Sequence, residues 1–359
     1  MSPFTSTSSV SQAPTCTLHS QPSLLSGMSD HTLGAILPTL IYAVSSTIFY
    51  IFDELELFEN CRIHPSKDEL SRNRVTKLGC LKGVARYHIM QIGISLLLTH
   101  SAEPELVREI ECETFQYASL LRKTLTLIPG TLTVLGLDAQ RPLSVLWNIP
   151  VSEQDVGQDF TTFRFYTVEL MLARIVVSIA IPILRFIVYL AVVDTWVYFT
   201  HRLCHINKTL YRIVHAQHHQ LYVPYAYGAV YAHWLESLFL DILSFISAGA
   251  IAGISVRQGM VLSSLATFKT ISDHCGYVFP LDPFSYVNRN GAQFHDLHHQ
   301  SWGFKHNFST YTVFWDKLLE TAWTDRQAAA LKYSRTQELV KARLEIVKSG
   351  ATVTRTKSD

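Results

Sequence analysis

The residues best suited to chemistry are histidines in two stretches of the chain, the second about 76 residues after the first. His201 to His219 reads HRLCHINKTLYRIVHAQHH, and His295 to His299 reads HDLHH. A neutral imidazole is a nitrogen donor for iron, zinc, copper or nickel, and two imidazoles four residues apart on a helix point from the same face. Eight histidines follow this spacing and are predicted metal ligands: His201, His205, His215, His218, His219, His295, His298 and His299.

The number of predicted ligands indicates two metals. Eight donors exceed the four of a closed tetrahedral site, and two neighbouring metals with open positions would leave room for a substrate or for oxygen. All-nitrogen coordination accepts zinc as readily as iron, so the histidines alone leave the metal open. The zinc-protease pattern HExxH is absent because Arg202 and Leu203 follow His201, and peptide hydrolysis would lack its general base.

Three more residues near these stretches are candidates for the site. Asp194 precedes His201 by two helical turns, so it could orient a ligand imidazole by accepting a hydrogen bond, or pair with a neighbouring helix instead. His274 returns an imidazole just before the last cluster. His233, with Glu236 one turn later, follows a tyrosine-rich turn.

Composition favours a membrane protein. Apolar residues make up 48% of the chain and charged residues only 16%, and the mean hydropathy is +0.16. A net charge of +1 does not indicate the basic surface that nucleic-acid binding requires. The six cysteines have no CxxC spacing and are predicted to be reduced, buried thiols.

Apolar segments indicate where the chain crosses the membrane. Leu33 to Phe52 carries no charge over about 20 residues, enough to span the hydrocarbon core. Val168 to Phe199 is interrupted by Pro182, so it is either a kinked helix or a hairpin of two, and it leads into His201. The other apolar segments are Gly83 to Thr99, Leu120 to Leu137, and a predicted hairpin of Leu238 to Ile254 with Gly259 to Ile271. The sequence thus predicts an all-α integral membrane protein with four to six membrane helices and a cytosolic, histidine-rich two-metal region.

Four regions follow from these patterns. Residues 1–30 are rich in Ser, Thr and Pro and are predicted to be a disordered tail. Residues 31–159 contain the first membrane helices and polar loops, and 160–323 form the catalytic domain. Residues 324–359 are a polar tail or a short amphipathic helix.

Basic residues set the expected orientation. Arg202, Lys208 and Arg212 surround the first cluster, and residues 53–82 are also basic, which places both on the cytosolic side. Asn207 and Asn307 head glycosylation sequences beside the clusters. Neither should carry sugar if the clusters face the cytosol.

The boxes HRLCH, HAQHH and HDLHH resemble the HxxxH, HxxHH and HxxHH signature of the membrane fatty acid hydroxylase and sterol desaturase superfamily. The surrounding words DTWVYFTHRLCHINKTLYRIVHAQHH, LYVPYAYGAVYAHWLE, FKTISDHCGY and FHDLHHQSWGFKHNFS are similar to its sphinganine C4-hydroxylase branch. The resemblance covers roughly Phe160 to Trp323.

That resemblance implies a di-iron centre in a multi-pass protein of the endoplasmic reticulum membrane, with the eight box histidines as ligands. His274 matches an additional family histidine, and His233 matches one followed by a glutamate. It further implies O2 and electrons from NADH or NADPH through cytochrome b5 and its reductase. No HPGG haem-binding element is present, so cytochrome b5 is expected to be a separate protein. The implied reaction inserts oxygen at C4 of a sphingoid base, free or as dihydroceramide, giving phytosphingosine.

Two other functions remain open at this point. A sterol desaturase or C4-methyl sterol oxidase of the same superfamily would carry the same boxes. A metal transporter would need ligands inside the apolar spans. The clusters flank those spans, which disfavours transport.

Overall fold

Long helices dominate the part of the chain that the structure, a computed structural model, describes: residues 16–65, 67–134, 167–288 and 290–349. The principal helices are α1 (Asp30–Glu54), α2 (Lys77–Thr99), α3 (Ile110–Val134), α4 (Thr167–Ile175), α5 (Ile181–Ile206), α6 (Leu243–Ala252), α7 (Val256–His274), α8 (Ala292–His299) and α9 (Arg326–Lys348). Short α-helical turns occupy Lys208–Leu210, Trp234–Glu236, Pro283–Asn288 and Phe314–Leu318. Turns of 3₁₀ helix occupy Glu59–Cys61, Lys67–Arg72, His218–Gln220 and Ala226–Gly228. The strands β1 (Leu18–Ser20) and β2 (Leu106–Arg108) form one antiparallel pair.

Local sequence signals explain where several helices begin and end. The Ser29 hydroxyl accepts a hydrogen bond from the Thr32 amide and caps α1. Ser255 and Gln258 form a reciprocal capping box at the start of α7. Gly253 ends α6 with φ +60°, a left-handed conformation that favours glycine. Two helical segments joined by a short turn therefore occupy Leu238 to Ile271, and their packing as a hairpin stays a prediction.

A single irregular helical path fills the segment predicted as a kinked helix or a hairpin of two. One turn of π-helix at Val176–Ala180 joins α4 to α5, immediately before Pro182. Proline has no backbone N–H to donate, and an inserted π-turn is a common way for a helix to accommodate such an interruption. The kinked-helix alternative is the one observed.

Three stretches within the described ranges have the length and apolar content to cross a bilayer: Asp30–Glu54, Glu169–Ile206 and Trp234–Ala252. The first matches the span predicted at Leu33 to Phe52. Gly83 to Thr99 and Gly259 to Ile271 lie in α2 and α7, and Leu120 to Leu137 lies in α3 as far as Val134, with its last residues outside the described range.

The chain divides into two compact units, the first made of residues 1–22 and 103–187. Here β1 pairs with β2, a disulfide joins Cys16 to Cys112, and α3 packs against α4. The prediction of reduced thiols is wrong for Cys16 and Cys112, because strand pairing brings two distant segments together in a way that cysteine spacing does not reveal. It is right for Cys80, Cys204 and Cys275, which are free and buried, while Cys61 is free but only half-buried.

The predicted disordered tail is also corrected in part. Residues 1–15 lie outside the described residues, but Leu18–Ser20 form a strand. At the other terminus, the predicted polar tail from residue 324 contains the 23-residue helix α9. Residues 135–166 and 350–359 lie outside the described range.

The second unit, residues 23–102 and 188–359, contains all the predicted ligands. Arg257 at the start of α7 pairs with Asp30 at 2.8 Å, and Tyr277 just after α7 donates to Asp53 at 2.9 Å, so α1 and α7 run parallel. Gln91 of α2 donates to the Ala35 carbonyl at 3.2 Å, while Lys77 lies 3.7 Å from Glu54, so α2 runs antiparallel to α1. The end of α1 at Asp53 is therefore the end at which α7 delivers His274.

The disulfide gives a direct prediction. In protein isolated without reductant, peptides containing Cys16 and Cys112 should be found linked by mass spectrometry. Cys112→Ser should destabilise the first unit by about 2–4 kcal/mol, because a long closed loop in the unfolded chain is released. Cys61→Ser, which removes a free thiol, should leave the thermal midpoint unchanged. Recovery of both cysteines as alkylated thiols without reduction would contradict the assignment.

Candidate metal centre

Nine buried imidazoles lie in one region of the second unit, carried by the ends of two long helices, by one short helix and by two short helical turns. The last turns of α5 carry His201 and His205, and α7 ends on His274. His215 closes a π-helical turn at Tyr211–His215, and His218 and His219 lie in the following 3₁₀ turn. The helix α8 supplies His295, His298 and His299. All nine are at most 9% exposed.

These histidines form two groups, in each of which the donor atoms lie within 4.8 Å of one another. The first group is His201, His205, His215, His219 and His298, and the second is His218, His274, His295 and His299. Each His-His dipeptide sends one ring into each group, which explains the doubled histidine in the HxxHH boxes. The predicted arrangement of two neighbouring sites matches this geometry, and His274 completes the second group.

Backbone carbonyls and one carboxylate fix the protonation of six of the rings. Nδ1 of His201 donates to the Phe308 carbonyl at 2.7 Å, and Nδ1 of His299 donates to the Leu221 carbonyl at 2.8 Å. His218, His274 and His298 donate to the carbonyls of Tyr231, Thr270 and His306, and His215 donates to Glu236. A carbonyl or an ionised carboxylate can only accept, so the proton of each neutral ring is on Nδ1 and the lone pair is on Nε2.

The inward-facing nitrogens then lie too close together without a cation. His201 and His215 both carry their proton on Nδ1, yet their Nε2 atoms are 3.0 Å apart. Nε2 of His215 also lies 3.0 Å from Nε2 of His219, and Nε2 of His299 lies 3.0 Å from Nε2 of His295; a proton on Nε2 of His219 or His295 makes either contact an ordinary hydrogen bond. Nε2 of His298 is buried with no hydrogen-bond partner. Facing lone pairs repel each other, whereas a metal ion between them would be bound by both, so the donor set fits metal ions.

The spacing of the nitrogens also bears on coordination number. Two nitrogens about 2.0–2.1 Å from one metal are about 2.9 Å apart at a right angle and about 3.3 Å apart at the tetrahedral angle. The observed separations of 3.0 to 3.2 Å lie between these two values. Five donors in the first group exceed a tetrahedral set. The first group therefore fits a metal of coordination number above four.

Burial keeps the ligands in their metal-binding state. It lowers the pKa of His218 to about 4 and the pKa values of His215, His219, His295, His298 and His299 well below the ordinary value. These imidazoles are therefore neutral at pH 7, with a lone pair available for a metal.

The carboxylate that contacts a ligand ring is Glu236. Its Oε1 accepts from Nδ1 of His215 at 2.7 Å. The prediction that Asp194 has this role is corrected by the structure, because the oxygens of Asp194 accept from the Thr312 amide and hydroxyl at 2.8 and 2.6 Å. Asp194 thereby fixes the loop after Phe308, whose carbonyl accepts from His201. Helical periodicity placed Asp194 on the correct face but did not reveal the loop that takes its hydrogen bonds.

His233 is not part of either group. Its Nδ1 accepts from the Leu235 amide at 3.4 Å and caps the short helix Trp234–Glu236. Cys204 and Cys275 are buried near the boxes in sequence but belong to neither histidine group. The prediction that both cysteines are small core residues is therefore supported.

A cavity borders the metal centre on the side of the helices. Its wall includes His201, His215, His218, His274 and His295, and continues along apolar side chains such as Val197, Leu240 and Phe245. The cavity volume is about 90 Å³. An apolar chain in this cavity would end beside both histidine groups.

Comparison with known proteins decides the family. The fatty acid hydroxylase family model matches residues 186–321. A sphingolipid C4-hydroxylase of Saccharomyces cerevisiae is 33% identical over 86% of this chain and 77% of its own length. The chain belongs to the fatty acid hydroxylase family. A sphinganine C4-monooxygenase of Arabidopsis thaliana is 33% identical over 82% of this chain and 88% of its own length. A methylsterol monooxygenase of Rattus norvegicus is 35% identical over 36% of this chain and 43% of its own length. No solved structure matches the chain significantly.

Two residues outside the range of the family match hold the helix that carries the third box. Asp296, between two box histidines, accepts from Nε2 of His64 at 2.8 Å and from the Tyr333 hydroxyl at 2.5 Å. Burial by itself would lower the pKa of His64, but the carboxylates of Asp296 and Glu69 on either side outweigh it and raise the pKa to about 9. His64 and Tyr333 lie outside residues 186–321, and their spacing in sequence gave no signal of this role.

Removal of the Glu236 charge tests how the first group is held. Glu236→Gln should weaken metal retention by about 10–100-fold, because the partner that orients the His215 ring is lost. Metal content measured by mass spectrometry after dialysis against graded chelator concentrations reports the change. His233→Asn, which preserves the helix cap, should retain metal like the unmodified protein. Equal chelator sensitivity of Glu236→Gln and the unmodified protein would contradict this role.

Proposed function

We propose that this protein is a membrane monooxygenase that hydroxylates C4 of sphinganine or dihydroceramide, giving phytosphingosine-type bases. Two nearly full-length relatives are named as C4-hydroxylases of sphingolipids or sphinganine. The observation that carries the proposal is the pair of histidine groups on the wall of a cavity with an apolar continuation.

Two iron ions are the proposed metals, held by the five histidines of the first group and the four of the second. Zinc would also bind nitrogen donors in a purified form, although the five donors of the first group exceed the four of tetrahedral zinc. Iron, when bound, supplies the redox chemistry with O2 that a hydroxylase requires. The overall reaction consumes the C4–H bond, O2, two electrons and two protons, and yields the C4–OH group and water.

Electrons are proposed to come from NADH or NADPH through a separate cytochrome b5 and its reductase. This proposal is supported by the resemblance of the sequence to the fatty acid hydroxylase and sterol desaturase superfamily.

The protein's own residues position the reactants. The carbonyls of Phe308, Tyr231 and Leu221 hold three ligand rings with Nε2 inward. The apolar wall of the cavity holds the lipid chain and limits water at the reacting carbon. Fixed placement of C4 beside the metals is the main contribution that the fold makes to rate and regioselectivity.

A sterol desaturase or C4-methyl sterol oxidase is the alternative. The alignment with the methylsterol monooxygenase covers only 36% of this chain. The near full-length coverage by the sphingolipid enzymes favours the sphingoid substrate.

Activity can be tested in cells that lack their own C4-hydroxylase. Expression of the chain should produce 4-hydroxysphinganine, measured by mass spectrometry of long-chain bases, and His299→Ala should produce none because the second histidine group loses a donor. His233→Asn serves as the matched control and should produce as much as the unmodified protein. Unchanged bases together with altered sterols would contradict the proposal and favour the sterol alternative.

We further propose that the protein lies in the endoplasmic reticulum membrane with both histidine groups on the cytosolic side. The basic residues beside the first box support this orientation. Asn307 is 1% exposed and its amide donates to the Phe294 carbonyl at 2.9 Å, so it has no room for a glycan. Cys16 precedes α1 in sequence, and a disulfide between Cys16 and Cys112 suits the oxidising lumen.

Glycosylation tests this orientation. Asn207 is exposed, yet treatment with a glycosidase should not change the mass of the protein, because Asn207 would lie in the cytosol. Thr5→Asn completes an Asn-Ser-Thr sequence ahead of α1 and should add one glycan in the lumen. A glycan at Asn207 would contradict this orientation, and the lack of a glycan on the Thr5→Asn variant in the same experiment would show that the topology is reversed.

A further inference from the structure

Asp241 is a carboxylate without an explained role inside a candidate membrane span. It lies in the stretch Trp234–Ala252, which is otherwise apolar enough to cross a bilayer except for Glu236. Ionisable residues in such segments are costly and generally serve a function. Asp241 is the acidic residue inside the apolar run Leu238 to Ile254.

No described residue offers the Asp241 side chain a hydrogen bond or an ion pair. The backbone carbonyl of Asp241 accepts a hydrogen bond from the Ser244 hydroxyl. The carboxylate lies on the wall of the cavity that borders the metal centre. Among the described residues of that wall there is no lysine or arginine. An ionised carboxylate in such surroundings is unfavourable, so the group either takes up a proton or pairs with a cation from outside the chain.

The local helix geometry places Asp241 close to the ligand rings. Glu236, which accepts from His215, precedes the π-helical turn Ser237–Ile242 that contains Asp241. In a π-helix, residue i bonds to i+5, so Asp241 lies one turn beyond Glu236, about 5 Å along the axis. Insertion of the π-turn therefore brings Glu236 and Asp241 onto one face of the segment, and both line the cavity.

We propose that Asp241 binds the protonated amine of a free sphingoid base and so selects it over its N-acylated form. This inference rests on the proposed C4-hydroxylation. In such a base the amine nitrogen is three bonds from C4, a reach of about 4 Å. An ammonium on Asp241 would thus hold C4 on the side of the cavity that the histidines line. Tyr87, Thr270 and Tyr311 share the wall and offer hydroxyl groups to the two hydroxyls of the base. An N-acyl group removes the positive charge and leaves Asp241 unpaired, which is the basis for selection.

Steady-state kinetics with sphinganine and with N-acetylsphinganine test the proposal, using the full chain with cytochrome b5, its reductase and NADH. The unmodified protein should have the higher kcat/KM for sphinganine. Asp241→Asn should raise the KM for sphinganine about tenfold or more, because the ammonium loses its counter-charge, while kcat and the constants for N-acetylsphinganine change little. Asp241→Glu, which keeps the charge, should recover part of the affinity. Glu54→Gln, which removes an exposed charge at the end of α1, should behave like the unmodified protein.

Thermal stability separates substrate binding from a structural role. Because Asp241 has no partner among the described residues, Asp241→Asn should have a melting temperature equal to or above that of the unmodified protein. A lower melting temperature, a fall in kcat with unchanged KM, or an equal rise in KM for both lipids would overturn the assignment. Failure of the unmodified protein to hydroxylate either lipid would instead refute the proposed function.

Discussion

Repulsion between facing imidazole lone pairs is the constraint on which the rest of this structure depends. Carbonyl and carboxylate acceptors hold the protons on the outer nitrogens, and the inner nitrogens then approach to 3.0 Å. That arrangement is unfavourable in the bare chain and favourable around metal ions. The metal centre and the fold are therefore coupled, since six of the nine rings are oriented by a backbone carbonyl or by Glu236.

The fold supplies those orienting groups from elements far apart in sequence. The loop fixed by Asp194 and Asp316 presents the Phe308 carbonyl to His201. The turn after the second box presents Leu221 to His299. On the outside of α8, His64 and Tyr333 hold Asp296. Residues outside the histidine boxes thus determine the positions of the ligand nitrogens as directly as the boxes themselves do.

Helical spacing predicted much of this centre from sequence alone. Because residues at i and i+4 share a face, the pairs His201 with His205 and His295 with His299 each fall in one group, as predicted. The partition of each His-His dipeptide between the two groups depends on tertiary packing, so no local pattern showed it. The same limit applies to Asp194, whose face was predicted correctly but whose partner, Thr312, is 118 residues away. Cys16 and Cys112 are separated by 96 residues and paired through a short sheet that composition did not indicate.

X-ray absorption spectroscopy at the iron edge of the purified, iron-loaded protein tests the central claim most directly. The account predicts about two irons per chain and a first shell of nitrogen and oxygen near 2.1 Å, with the outer-shell scattering of several imidazoles and no sulfur shell near 2.3 Å. One metal per chain, or a sulfur contribution from Cys204 or Cys275, would contradict the assignment of two histidine groups to two metals.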